Sequence, residues 1–222
     1  MIKIYDELIQ GSDEWHQARC GLLTASEMKL IITPTLKTAN NDKTRAHIYE
    51  LAAQRVTQYT EPSYIGDDMM RGWEDEGKAK EKYAEYYAPV DDVGFITNDE
   101  CGFTIGYSPD GLVGDDGLIE IKSRRQKFQM ETIVNNTVPD EHIIQCQTGL
   151  LVTGRKWLDY ISYCGGMPMC VIRVYPDPEI QTAIIEAATS FEIKIKEVMG
   201  KYKANIEGLI LTERTIEEEM VL

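Results

Sequence analysis

The sequence predicts a single α/β domain: a central mixed sheet flanked by helices. Three observations predict it. The chain has 222 residues, 43% of them hydrophobic, which is enough to bury one full core without a second domain. Short segments with period-two alternation recur between longer segments with helical periodicity. The longest apolar runs fall far below the roughly 20 residues that a bilayer-spanning helix needs. The opening MIKIYDELIQ carries acids where a signal peptide would be apolar, so the expected location is the cytosol. The expected core runs from about residue 12 to 204, with an acidic tail over 205–222.

Ser12 suits the N-cap of a short helix through Arg19, with Asp13 and Glu14 in its first turn. Thr24 or Ser26 would cap a second helix carrying Met28, Leu30 and Ile31 as far as Pro34. Arg19 and Ser26 would then bracket a turn at a helix N-terminus, where outward-facing N–H groups favour anions. The plainer alternative is a surface arginine beside an ordinary cap. Residues 34–43 form a polar loop, and Ile48, Leu51, Ala52 and Val56 mark one face of the next helix. Residues 69–87 form another, with a stripe of Met69, Trp73, Glu76, Tyr83 and Tyr87. Glu76 is the odd member, because a carboxylate on an apolar stripe is costly without a compensating partner or metal. Lys80, four residues on, is the alternative partner.

Residues 93–97, 102–107 and 117–122 read as a three-strand meander. Its last member belongs to the stretch SPDGLVGDDGLIEIK, Ser108 to Lys122. In that strand Leu118, Glu120 and Lys122 share one face, and Ile119 and Ile121 the other. Glu120 and Lys122 then stand about 7 Å apart along the strand. Pro109, Gly111, Gly114 and the Asp115-Asp116-Gly117 turn can fold Asp110 back beside Glu120. Residues 125–134 read as helix, and Pro139 opens another whose inward face holds Ile143, Gln147, Leu150 and Leu151. Gln145 falls on a different face of that helix. Strands at 157–163 and 169–175 precede a long amphipathic helix, 177–204, with Ile184, Ala187, Phe191, Ile195 and Val198 along one side.

The net charge of −14 excludes a protein that coats nucleic acid by bulk attraction. Charge is uneven, however. Residues 122–127 hold four bases in six, Lys122, Arg124, Arg125 and Lys127, while acids gather at Asp67-Asp68, Glu74 to Glu76, Asp91-Asp92 and Glu217 to Glu219. The basic segment is either a local guide for a phosphate backbone or a solvated face. Five scattered cysteines without a Cys-x-x-Cys pair point to reduced thiols. His16, His47 and His142 lack metal-ligand spacing and read as structural, and there is no P-loop or dinucleotide fingerprint.

Asp110, Glu120 and Lys122 suit phosphodiester hydrolysis. Mg²⁺ takes hard oxygen ligands and is commonly held by one or two carboxylates plus water and substrate phosphate. A lysine beside them can offset charge at the reacting phosphorus or help deprotonate water. The alternative is an ordinary Pro-Asp-Gly turn next to an ordinary half-exposed edge strand.

Pro109-Asp110 and Glu120-Ile121-Lys122, ten residues apart, resemble the PD-(D/E)xK nuclease superfamily. Within it the chain is most similar to lambda exonuclease and related phage recombination exonucleases. Three further stretches carry the likeness in the right order: Trp15 to Ser26 (WHQARCGLLTAS), Arg71-Gly72 through Glu76, and Gln145-Cys146-Gln147. The resemblance implies a restriction-endonuclease-like fold and an Mg²⁺-dependent nuclease in which Mn²⁺ can substitute. It implies digestion of one strand of double-stranded DNA, 5′ to 3′, from a 5′-phosphorylated end to mononucleotides. Asp110, Glu120, the Ile121 carbonyl and Glu76 would hold metal, and Lys122 would act on the water. Arg19, Ser26, Ser108 and Gln147 would bind phosphate. A ring-shaped homotrimer and a single-strand annealing partner are also implied. The rivals are an endonuclease or resolvase of the same fold, an inert DNA-end-binding module, and an acidic adaptor that binds no nucleic acid.

Overall fold

The computed structural model describes residues 1–62 and 66–214. The acidic run Glu217 to Glu219 lies outside the described residues, and so do the side chains of Asp67 and Asp68. Among the described residues, eight strands form two four-stranded mixed sheets. The first contains β1 (Ile2–Tyr5), β2 (Leu23–Thr24), β3 (Phe95–Asn98) and β4 (Ile105–Tyr107), in the order β1-β3-β4-β2. The second contains β5 (Gly111–Val113), β6 (Gly117–Ser123), β7 (Trp157–Tyr163) and β8 (Cys170–Val174), in that order. Each has one parallel pair, β2 with β4 and β6 with β7. The expected meander therefore divides. β3 and β4 stay together, but β5 takes one side of β6 while β7 pairs along its other side. A parallel pair needs a long crossover, which α4 (Gln126–Asn135) and α5 (Asp140–Thr153) supply.

The remaining helices are α1 (Asp13–Arg19), α2 (Asp42–Thr57), α3 (Asp67–Tyr86) and α6 (Pro178–Asn205). Ser12 caps α1 by accepting from the Trp15 amide, and Asp177 caps α6 by accepting from Glu179 and Ile180. Between β2 and α2 the expected full helix shrinks to a single 3₁₀ turn, Met28–Leu30, with no side-chain cap. Thr24 pairs with β4 instead of starting a helix, so the helix N-terminus expected behind Ser26 is absent.

One large core joins both sheets through α5, which packs on β3 and β4 of the first and β7 of the second. It contains Leu23, Leu51, Ile96, Leu118, Leu150, Tyr160, Ile184 and Phe191. A smaller core between α3 and the second sheet holds Ala79, Tyr83, Ile119, Ile121 and Ile161. β6 is buried on both faces, so the leucine and isoleucines that flank Glu120 each contribute about 1.5–3 kcal/mol of burial. The half-exposed edge strand considered for this segment does not exist, because β6 lies inside its sheet. On α3 the row facing that core is Ala79 and Tyr83, whereas Met69, Trp73 and Tyr87 are exposed. The predicted apolar stripe is corrected accordingly. Among the described residues, no helix is long and apolar enough to cross a membrane, and the five cysteines are unpaired.

Candidate active site

The chain leaves the first sheet at Tyr107 and enters the second at Gly111, so Ser108, Pro109 and Asp110 form the joint between them. Gln10 steadies this joint by donating to the Pro109 carbonyl at 2.9 Å and to that of Val93 at 3.3 Å. The Asp110 carboxylate accepts from the Ile121 amide, which seats it against β6. Glu120 is 1% exposed and accepts three hydrogen bonds. Lys122 Nζ and Gln145 Nε2 each reach Oε1 at 2.6 Å, and Tyr107 Oη reaches Oε2 at 2.8 Å. Such a buried carboxylate is sustainable because charged and neutral donors compensate it.

Glu76 is half-buried on α3 and shares with Asp110 a cleft of about 330 Å³, whose other walls include Leu8, Gln10, Lys80 and Asp92. Lys80, the alternative partner for Glu76, turns to Asp92 at 3.0 Å. Burial pushes the Glu76 carboxyl above its ordinary range; the Lys80 ammonium opposes this across the helix turn, and the nearby Glu120 adds to it. Burial also raises Asp110 well above its ordinary range, with further repulsion from Glu120 and Glu76. Burial alone would lower the Lys122 ammonium, but Glu120 and Asp110 outweigh it and hold the group above the ordinary lysine value.

Repelling carboxylates with one lysine make a donor set that a hard divalent cation would relieve. Asp110, Glu120 and the Ile121 carbonyl could hold such an ion, with Glu76 across the cleft. Among the described residues no three acidic, histidine or cysteine side chains converge closely enough to hold a metal by themselves. The set fits Mg²⁺, which keeps several waters and needs only one or two carboxylates.

Arg19 lies on the other side of the joint. Its guanidinium donates to Ser108 Oγ at 3.1 Å and to Thr24 Oγ1 at 3.4 Å, and it stacks on Trp15 at 4.2 Å. Trp15 Nε1 donates to the same Ser108 oxygen at 2.9 Å. Both lone pairs of that hydroxyl are thereby used, and its own hydrogen is the group left to donate. Thr24 Oγ1 is 3.2 Å from Ser26 Oγ. Burial lowers the Arg19 guanidinium from its ordinary value, although such a group stays charged.

The structure thus gathers Asp110, Glu120, the Ile121 backbone, Lys122 and Glu76 on one side of the joint, and Arg19, Ser26 and Ser108 on the other. Gln147 is not among them. It is 2% exposed, donates to the Tyr175 carbonyl at 2.8 Å and accepts from the Asp177 amide at 2.9 Å, so it fastens the start of α6. Gln145 takes the place expected of it. Arg124 is no free cation either. Its side chain is 9% exposed, pairs with Glu141 at 2.7 Å, and reaches His142 Nε2 at 2.9 Å. Desolvation, with Lys122 nearby, pushes the His142 imidazole down to about 3. Arg125 and Lys127 are exposed, with Lys127 Nζ 4.5 Å from the Phe128 ring centroid. Tyr107, Gln145 and Thr24 were not singled out as members of the site; Gln145 carried a signal as one of the two glutamines around Cys146, and Thr24 as part of the Trp15 to Ser26 stretch.

Residues 14–156 match the YqaJ-like viral recombinase domain. No curated protein matches the sequence. An alkaline exonuclease from Laribacter hongkongensis, LHK-Exo, is similar in structure, with 32% identity and a TM-score of 0.73 over 87% of this chain and 99% of that one. The same protein in complex with dAMP superposes with 33% identity and a TM-score of 0.73. A phage related exonuclease from Haemophilus somnus 129PT shares the fold at 12% identity, with a TM-score of 0.58 over 82% of this chain and 96% of that one. The chain belongs to the YqaJ-like viral recombinase domain family and is a deoxyribonuclease of the phage recombination exonuclease type.

Proposed function

We infer that the protein is an Mg²⁺-dependent exonuclease that digests one strand of double-stranded DNA from a 5′-phosphorylated end, 5′ to 3′, releasing mononucleotides. The observation that carries this reading is the joint at residues 108–110. It sets an arginine and hydroxyl site beside a carboxylate and lysine site, so that one strand can present its terminal phosphate to the first and its next phosphodiester to the second. The dAMP bound by LHK-Exo is a mononucleotide, the product class expected here.

Asp110, Glu120 and the Ile121 carbonyl would hold the cation, and Mn²⁺ would fit the same oxygen ligands. A bound divalent ion polarises the phosphate and acidifies a water. Tyr107 and Gln145 hold the Glu120 carboxyl group in its orientation. Lys122, held between Glu120 and Asp110, is placed to offset charge developing on the phosphate or to act on the attacking water. Glu76 closes the cleft opposite Asp110. Arg19, Ser108 and Ser26 receive the end phosphate. In biological context the reading includes a homotrimeric ring around DNA and a single-strand annealing protein as partner, acting together in phage-type recombination.

The test is incubation of linear and covalently closed circular DNA with Mg²⁺, using linear substrates that end in 5′-phosphate or 5′-hydroxyl. Degradation of linear DNA alone, fastest from phosphorylated ends and yielding mononucleotides, is expected. Cutting of closed circles at a comparable rate would replace this reading with an endonuclease.

A further inference from the structure

Arg19 is the last residue of α1 and the first of a turn, closed by the Leu22 amide donating to the Arg19 carbonyl at 3.0 Å. Cys20, at φ −55° and ψ 121°, and Gly21, at φ +72°, give it type II geometry. The positive φ favours glycine, and a Cβ there would also stand 2.7 Å from Arg55 Cγ. The turn and α2 are in intimate contact.

Both polar backbone groups of Gly21 are taken by α2. Its amide donates to Gln54 Oε1 at 2.8 Å, and its carbonyl accepts from Arg55 Nε at 2.7 Å. The other two guanidinium nitrogens of Arg55 make a bidentate pair with Glu192 of α6, at 2.7 and 2.6 Å. That carboxylate is only 5% exposed. A buried ion pair is weak evidence for stability, since apolar residues of similar volume often do as well. Here, however, the arginine that Glu192 orients also holds the turn from which Arg19 projects.

We propose that Gln54, Arg55 and Glu192 are positioning residues that brace this turn. They keep the Arg19 guanidinium at Ser108 and thereby set the preference for phosphorylated ends. The inference rests on the end-anchor reading of Arg19 given above. A displacement of about 1 Å in such an anchor is enough to matter kinetically, and α6 becomes part of end recognition without touching DNA.

The experiment measures the ratio of digestion rates on 5′-phosphorylated and 5′-hydroxyl linear duplexes, with KM and kcat separated. Gln54→Leu fills similar space without an acceptor for the Gly21 amide. It is expected to lower the ratio about 2- to 30-fold, mainly through KM for the phosphorylated end. Gln54→Glu keeps an acceptor and is expected to keep the ratio. Glu192→Gln should act in the same direction as Gln54→Leu, and the Gln54 pair decides the matter if that variant does not fold. Arg19→Ala is run alongside. If Arg19→Ala is selective while Gln54→Leu slows both ends alike or neither, the brace is refuted and the anchor stands. If Arg19→Ala is itself unselective, the anchor reading falls and the brace with it.

Discussion

Replacing Tyr107 by phenylalanine removes one of the three donors that hold Glu120, the 2.8 Å bond to Oε2, and leaves Lys122 and Gln145 on the other oxygen. The ring is 1% exposed and lies where a Cβ on Gly149 would come within 2.7 Å of it, so the packed position leaves the phenyl ring little freedom to shift. A hydrogen bond to a charged group is worth about 1.5–3 kcal/mol. With a urea slope of about 2–3 kcal/mol per molar, the midpoint of unfolding should fall by roughly 0.5–1.5 M. Turnover should fall too, by about 10- to 150-fold if the same energy is lost from the transition state. Urea unfolding followed by tryptophan fluorescence, together with single-turnover digestion of a phosphorylated duplex, measures both. An unchanged midpoint and unchanged turnover would show that Glu120 does not depend on Tyr107, and the account of how its buried charge is sustained would be wrong.

Lys122→Met should abolish cleavage while DNA-end binding survives, because the side chain's stem remains and only its charge is lost; turnover near that of the parent in a nuclease assay would remove the lysine from the chemistry. Exchange of Mg²⁺ for Ca²⁺ should permit binding yet stall hydrolysis, since the larger ion takes longer and more variable coordination, and equal rates in the two ions would tell against the proposed ligands. Asp110→Asn should stabilise the cation-free protein by about 0.5–2 kcal/mol at neutral pH while destroying activity. The sign follows from its raised carboxyl: the folded form prefers the proton, so the stability it contributes is full at acid pH and is lost as pH rises through the folded value. Melting curves from pH 4 to 8 should therefore converge at the acid end, and a constant offset across that range would contradict the desolvation of Asp110.

The alternation of β6 could be read directly, because a strand sends successive side chains to opposite faces whatever surrounds it. Leu118, Ile119 and Ile121 are buried, and Lys122 meets Glu120 as the spacing requires. α6 was equally legible, with Ile184, Ala187, Phe191 and Ile195 buried along one side. α5 was not. Ile144, Cys146, Gln147, Thr148, Gly149 and Leu150 are all buried, since sheets and α6 surround it, and a helix without a wet face has no readable inward side. That is why Gln147, expected at the site, lies by the start of α6, while Gln145 lies against Glu120. α3 misled for the opposite reason: Met69 and Trp73 are large and apolar yet stand in solvent, so hydrophobicity alone could not tell core from surface. The division into two sheets depended on β5, three residues long and too short to show a period.

Placing both halves of the site on one joint has a consequence for product size. Ser108 touches the arginine site and Asp110 the carboxylate site, and two residues of extended chain reach at most about 7 Å. For a strand gripped by its terminal phosphate, that short tether acts as a ruler made of covalent bonds. Under the proposed function it would limit how far from the end a cut can fall, without consulting the bases.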